Sequence, residues 1–278
     1  MTCRELIRRA SVRFSAAGIP DPVNDAALLL SYLTGRPPLS LRLDDESVPE
    51  PSVVDSFNAL VEKRLSRVPL QYLLGESPFF GRMFKVDSRV LIPRPETELL
   101  CEWALSLLKD RPSPRILDLC CGSGCIGITL KAGIPAASVT LSDISPDALA
   151  LAAENASRLG TDVSFCQSDL LEALSGSVFD LIISNPPYIP SEECLTLQQE
   201  VRQEPLLALD GGPDGLDIYR RIIRDAFPCL VPGGILLMEL GAGEDQAVST
   251  LLSAGGYCST EIREDLSGIR RMILSTHP

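Results

Sequence analysis

The chain has 278 residues, 45% of them hydrophobic, which is enough for one large α/β domain plus a small one, each with a real core. A net charge of −12 and a pI near 4.6 have the wrong sign for a protein whose main partner is a phosphate backbone, so no direct nucleic-acid contact is expected. No apolar run approaches the length of a membrane span, Met1-Thr2-Cys3-Arg4-Glu5 does not read as a secretory signal, and nine cysteines without paired C-x-x-C spacing read as reduced thiols, so a cytoplasmic protein with no membrane contact is expected.

Residues 1–75 read as a helical domain, suited either to docking a partner or to capping a site. Thr2 and Glu5 have capping-box spacing ahead of Leu6, Ile7, Ala10, Val12 and Phe14, and Gly18 stops that helix. Asp21-Pro22 opens a second helix in the N-cap and first helical positions, running through Leu28, Leu29 and Leu30 to Gly35. Pro51 opens a third, with Val53, Val54, Phe57, Leu60, Val61 and Leu65 at helical spacing, and Pro69 to Gly75 gives a short fourth. Residues 76–95 change character. Phe79, Phe80, Phe84, Val86, Val90 and Ile92 are β formers with Asp87-Ser88 as the turn, which predicts a β-hairpin linker. Pro95-Glu96-Thr97-Glu98 then leads into a helix from Leu99 to Leu108, with acids in the turn that the helix dipole favours.

Residues 96–278 read as the larger domain, in which the pattern alternates strand and helix from Arg115 onward, the form of a doubly wound parallel sheet. Strands are predicted at Ile116–Cys120, Ser138–Leu141, Val163–Cys166, Val178–Ser184 and Gly234–Leu240, with a closing hairpin at Tyr257–Arg263 and Arg270–Ser275. Helices are predicted at about 124–132, 146–159, 216–230 and 244–254. The intervening segment 189–215, with Gly211-Gly212-Pro213-Asp214-Gly215, is long enough to be functional.

One strand end organises the rest. Val178 to Ile183 has the length and β-branching of a buried parallel strand, and Pro186 and Pro187 cannot extend it. Asn185 is thereby placed at the carboxyl rim of the sheet, where open α/β folds bind ligands. Its carboxamide accepts and donates hydrogen bonds but takes no proton at neutral pH. It therefore suits holding another planar NH2 group, with the Pro186 carbonyl as a second acceptor. Asn185-Pro186-Pro187-Tyr188 resembles the signature of S-adenosylmethionine-dependent N-methyltransferases that act on amide or exocyclic amino nitrogens.

The loop Asp118-Leu119-Cys120-Cys121-Gly122-Ser123-Gly124 joins the first strand of the alternating region to its helix, where glycines let a ligand approach the backbone. Gly122, Gly124 and Gly127 also spell the dinucleotide fingerprint, with Asp143 spaced as a ribose ligand. Two features favour S-adenosylmethionine over NAD. Asp118 stands before the glycines, where it can face a methionine ammonium, and Asn-Pro-Pro-Tyr has no role in hydride transfer. Asp143 is then placed to bridge the ribose hydroxyls, and Asp169 to accept from the adenine amino group with Leu170 flanking the ring. Cys120, Cys121 and Cys125 lack a fourth ligand and read as packing residues, so no metal is expected. The single histidine, His277, reads as part of a solvated terminus.

Taken with the helical domain, Pro69-Leu70-Gln71-Tyr72, Leu91-Ile92-Pro93-Arg94-Pro95-Glu96-Thr97-Glu98 and Glu204-Pro205-Leu206-Leu207-Ala208-Leu209, these motifs closely resemble the peptide-chain release factor glutamine methyltransferases, the HemK/PrmC family. The resemblance covers essentially the whole chain. It implies a Rossmann-like seven-stranded α/β methyltransferase domain behind a small helical bundle. The implied reaction moves the methyl of S-adenosylmethionine to the side-chain nitrogen (N5) of the glutamine in the Gly-Gly-Gln loop of class 1 release factors. Asn185 and the Pro186 carbonyl would hold the amide, Pro187 would stiffen the loop, and Tyr188 would pack on the substrate. The sequence departs from the family in the cofactor loop, where Cys120 stands in place of the usual glycine and Cys121 adds a second thiol. A ribosomal-protein glutamine methyltransferase shares the chemistry, and a DNA or rRNA amino-methyltransferase shares the tetrapeptide. A non-catalytic adaptor would have little use for Asp118, Gly122, Gly124, Asp143 and Asn185 together.

Overall fold

The computed structural model describes residues 1–43 and 46–278, and these divide into two units: Met1–Glu76 with Gln198–Gln203, and Ser77–Leu197 with Glu204–Pro278. In the first, the capping box of α1 (Cys3–Ala16) is present, with the Thr2 hydroxyl accepting the Glu5 N–H and the Glu5 carboxylate accepting the Thr2 N–H at 2.8 Å. Pro22 occupies the first turn of α2 (Pro22–Thr34), and Gly35 ends it at a φ of 67°, but the Asp21 side chain makes no capping bond. A short helix that the sequence reading lacks, α3 (Pro38–Leu43), precedes α4 (Pro51–Leu65) and α5 (Leu70–Leu74). Leu6, Phe14, Leu29, Leu30, Phe57 and Val61 form the core, whereas Val12, expected on the apolar face, is 65% exposed. The buried Arg64 guanidinium meets Asp25 at 2.8 Å and Glu200 at 3.0 Å, and Arg67 reaches the same Glu200 oxygen at 2.9 Å. A buried arginine needs such partners, and the 198–203 segment supplies one of them.

The hairpin is shorter than expected and turns earlier. Strands β1 (Glu76–Phe79) and β2 (Arg82–Lys85) are joined at Phe80-Gly81, both at positive φ, as a two-residue hairpin turn requires. Asp87, expected in the turn, instead lies beyond β2 and accepts from the Arg89 N–H and guanidinium. Val86, Val90 and Ile92 are buried without forming a strand, so their apolar character reflects core packing.

After α6 (Pro95–Leu108) come β3 (Arg115–Leu119), α7 (Cys125–Gly133), β4 (Ser138–Asp143), α8 (Pro146–Arg158), β5 (Ser164–Gln167) and β6 (Phe179–Ser184). The short α9 (Ser191–Cys194), then α10 (Asp217–Ala226), β7 (Leu230–Glu239), α11 (Asp245–Ala254), β8 (Cys258–Glu264) and β9 (Arg270–Thr276) complete the unit. The seven-stranded sheet has the order β5-β4-β3-β6-β7-β9-β8, parallel through β7 and antiparallel at the closing hairpin. Successive residues of β3 serve opposite faces. Ile116 joins a core with Leu100 and Ile128, while Leu117 joins one with Ile222 and Leu252. Strand β7 starts at Leu230, before Pro232 and Gly233, and its register to β6 shifts there because proline donates nothing to the ladder. Among the described residues, no helix is long and apolar enough to cross a membrane.

Candidate active site

The chain runs from β3 outward to β4 and β5 on one side and to β6 on the other, so the order reverses between β3 and β6. Leu119 and Ser184 are register partners at their carboxyl ends. The loop after Leu119 and the Asn185 segment therefore leave the sheet side by side, at the switch point where such folds bind ligands.

The loop is held by backbone bonds and one carboxylate. Cys121 N–H donates to the Ser142 carbonyl at 3.0 Å, and Gly122 N–H donates to Asp143 Oδ2 at 2.9 Å. Asp143 Oδ1 accepts from Ser145 N–H, also at 2.9 Å. Burial pushes the Asp143 carboxyl above its ordinary range against the lowering effect of these donors. Gly124 caps α7 at a φ of 77°, and a Cβ there would sit 2.8 Å from a Leu141 methyl, so both conformation and space require glycine. Cys120 is also left-handed, at a φ of 60°, and so is Leu170 at 50°. These two strained non-glycine residues line the same cavity. Asn155, which sequence reasoning missed, donates to the Ser123 carbonyl at 2.9 Å and exchanges bonds with the Lys85 backbone, tying the loop to β2.

A cavity of about 220 Å³ opens at this switch point, within the larger unit. Cys120, Cys121, Gly122, Ser123, Asp143, Asp169 and Leu170 line it, as do Asn185 and Pro187 from the other strand end. Gly124, Pro186, Tyr188 and Asp118 are not among its lining residues. Asp118 lies fully buried behind the loop, where Oδ2 accepts the Gly127 N–H at 2.8 Å and Oδ1 has no partner among the described residues. Burial pushes its carboxyl up to about 7, with nearby Asp143 raising it further. Asp169 is engaged by Arg221 at 2.8 Å, a cavity residue from α10 that the sequence did not flag because its partner is remote in the chain. The cavity cysteines are thiols, since burial pushes Cys125 up to about 12 and raises Cys120 and Cys121 as well. No group of three or more His, Cys, Asp or Glu among the described residues could hold a metal.

At the other strand end the Asn185 Nδ2 lies 3.3 Å from the Thr97 hydroxyl, which is 2.6 Å from Glu239 Oε2 on β7. The Tyr188 hydroxyl approaches Glu239 Oε1 at 3.4 Å. Thr97 and Glu239 are buried, and sequence reading gave neither a role, although Thr97 belongs to a motif it noted. The 189–215 segment packs back on this strand end. Ile189 N–H donates to Leu209 at 2.9 Å and Gly211 N–H to Ile189 at 2.8 Å. A Cβ on Gly211 would lie 2.8 Å from the Tyr188 Cα, which accounts for the glycine at that crossing. Glu204 then joins two noted motifs by accepting from Arg94 and from the Ile92 N–H, and Pro205, Leu207 and Ala208 beyond it complete the cavity wall.

Family models match in two places: one described as the PrmC N-terminal domain over residues 5–75, and one described as the methyltransferase small domain over residues 97–204. A release factor glutamine methyltransferase from Deinococcus radiodurans is 44% identical over 277 residues, covering 98% of each chain. Another of that name from Cereibacter sphaeroides is 43% identical, covering 100% of this chain and 99% of its own. Among solved structures, a methyltransferase from Pyrococcus furiosus superposes with a TM-score of 0.56 at 17% identity, covering 77% of this chain and 98% of that one, a likeness of fold. With the seven-stranded sheet, the switch-point cavity and identity sustained along the whole length, the chain belongs to the release factor glutamine methyltransferase family.

Proposed function

We propose that this chain transfers the methyl group of S-adenosylmethionine to the side-chain amide nitrogen (N5) of the glutamine in the Gly-Gly-Gln motif of class 1 release factors. The observation that carries this reading is the placement of Asn185 and the Asp143-held glycine loop on one cavity at the switch point. The residues fit the cofactor. Each Asp143 oxygen accepts one backbone N–H and keeps a lone pair for a ribose hydroxyl. Leu170, Ile144 and Ile218 give an apolar wall for a ring, with Asp169 at its polar edge. The unpartnered Asp118 Oδ1 leaves a buried acceptor behind the loop, and a cationic methionine ammonium bound nearby would favour its ionised form. When bound, S-adenosylmethionine supplies an electrophilic methyl on a sulfonium.

The chain's own task is to present a poor nucleophile. An amide lone pair is delocalised, so the nitrogen attacks only if it is held in line and its N–H bonds are polarised. Asn185 Oδ1 and the Pro186 carbonyl accept those two N–H bonds, and Pro187 keeps the segment stiff. Tyr188 packs beside the bound side chain, and the apolar cavity wall excludes water. Orientation of this kind supplies up to roughly 7–11 kcal/mol of the barrier. No general base acts before attack, because the amide loses its proton more readily once methyl transfer has placed positive charge on it. One glutamine side chain offers too little surface to select a protein, so the helical unit, residues 1–75, supplies further contact with the release factor.

The test is incubation of the full chain with labelled S-adenosylmethionine and, separately, intact class 1 release factors, ribosomal protein, DNA and RNA. Label entering the release factor at its Gly-Gly-Gln glutamine supports the reading. Faster labelling of ribosomal protein or nucleic acid overturns it. A short Gly-Gly-Gln peptide should be methylated far more slowly than the intact factor.

A further inference from the structure

We propose that Thr97 and Glu239 are positioning residues that fix which way round the Asn185 carboxamide faces, so that its oxygen meets the target nitrogen; this rests on the reading that Asn185 holds an amide. The argument is one of donors and acceptors. An ionised carboxylate can only accept, so the hydroxyl proton of Thr97, 2.6 Å from Glu239 Oε2, points to Glu239. The hydroxyl has no second proton, and toward Asn185 at 3.3 Å it can only accept. The carboxamide group nearest Thr97 must therefore be NH2, which leaves Oδ1 for the cavity that Asn185 lines. An amide's two ends are told apart by such a network. The two prolines that follow limit the backbone, and among the described residues the Thr97 hydroxyl is the side-chain partner that discriminates between the two carboxamide orientations.

The relay has a direction that a proton can reverse. Once Glu239 is protonated it can donate to Thr97, which frees the Thr97 proton for Asn185. The carboxamide then inverts and offers NH2 to a substrate NH2, two donors facing each other. Glu239 sits within a crowded set of groups. Glu96, Thr97 and Cys101 approach from α6, Cys125 from α7, Arg271 from β9 and Tyr188 from the segment after β6, while the Tyr219 hydroxyl of α10 donates to the Glu239 carbonyl. Burial pushes the Glu239 carboxyl up to about 7, against the lowering effects of Thr97, Arg271 and Tyr188. The orienting form is the ionised one, so transfer should rise with pH through that range.

The experiment uses the full chain with Thr97→Val, Thr97→Ser and Glu239→Gln, measuring kcat and KM for methylation of an intact release factor between pH 5.5 and 8.5. Thr97→Val should lower kcat about 10- to 100-fold while retaining S-adenosylmethionine affinity, and Thr97→Ser should restore it. Adding Thr97→Val to Asn185→Ala should cost nothing further, because the hydroxyl acts through Asn185. Glu239→Gln should lower kcat and abolish the acid limb near pH 7. In parallel, the ¹⁵N side-chain amide signal of Asn185, assigned by its loss in Asn185→Ala, should titrate near pH 7 in the parent chain and stay flat in Glu239→Gln. That signal needs no methyl acceptor. If no release factor is methylated, the functional reading fails while the relay is still judged by the spectrum. A parent Asn185 signal that does not titrate, or Thr97→Val with unchanged kcat and pH profile, overturns the relay.

Discussion

The Glu204 carboxylate accepts from the Arg94 guanidinium at 2.5 Å, and its other oxygen accepts the Ile92 N–H at 2.9 Å. One buried acid thus pins the middle of the 189–215 segment to the stretch that enters α6, and Pro205, Leu207 and Ala208 of the cavity wall follow it in the chain. Glu204→Ala removes the acceptor and leaves a buried N–H unsatisfied. It should lower stability by about 2–3 kcal/mol and raise KM for the release factor more than it lowers kcat. Chemical denaturation and steady-state kinetics check this, and unchanged stability would show that water replaces the carboxylate without cost.

Cys120 holds a left-handed conformation at a φ of 60°, a region that favours glycine. An L-residue there costs roughly 1–2 kcal/mol, while glycine adds roughly 0.5–1 kcal/mol of unfolded-state entropy. Cys120→Gly should therefore be neutral to stabilising by up to about 1 kcal/mol. Cys120→Val, β-branched at the same φ, should destabilise by more than the cysteine does. Melting curves of the two variants decide it, and equal destabilisation by both would mean that the cysteine side chain packs too well to lose.

Asp118, pushed up to about 7 by burial, sets a pH dependence of stability. Its folded value lies above the unfolded one, so the folded state binds the proton more tightly. The resulting stability is fully present below about pH 4 and is lost as pH rises through about 7. Asp118→Asn cannot ionise. Its stability relative to the parent chain should improve by roughly 1.4 kcal/mol per pH unit across that window and level off above it. Denaturation at pH 5, 6, 7 and 8 measures the difference, and a constant difference would show that Asp118 is ionised throughout.

The fold was legible where one element carries its own signal. Thr2 with Glu5, Pro22 with Gly35 and the β-branched run before Asn185 each announce an element locally, and each element is present. Pro38–Leu43 was not legible because six residues hold too little helical period, and the hairpin turn was misplaced because Phe80 gives no turn signal despite its positive φ. In the site, Asp143 and Asn185 stand at strand ends, where position alone singles them out. The Thr97–Glu239 bond joins residues 142 apart in sequence, and the Asp169–Arg221 pair likewise requires the folded sheet. Asp118 was identified by its place before the glycines, but the direction of its side chain, behind the loop rather than into the cavity, depends on the pleat of β3.

Asp143 organises the proposed cofactor site through Gly122 and Ser145. S-adenosylmethionine at 100 times its dissociation constant should stabilise the chain by about 2.7 kcal/mol, and NAD should not. Asp143→Ala should sharply reduce that shift by removing the hydroxyl acceptor and loosening the loop. Thermal denaturation with each ligand reads this directly, and a shift with NAD alone would contradict the assignment.

The central claim is that Asn185 holds the amide nitrogen that receives the methyl group. It is tested most directly by single-turnover methylation of an intact class 1 release factor by the parent chain and by Asn185→Ala, with mass spectrometry locating the added methyl. The account predicts methyl on the side-chain nitrogen of the Gly-Gly-Gln glutamine. It also predicts a rate loss on the order of 10²–10³ in Asn185→Ala, with S-adenosylmethionine binding retained. A variant that turns over near the parent rate, or a methyl found on any other atom, would contradict it.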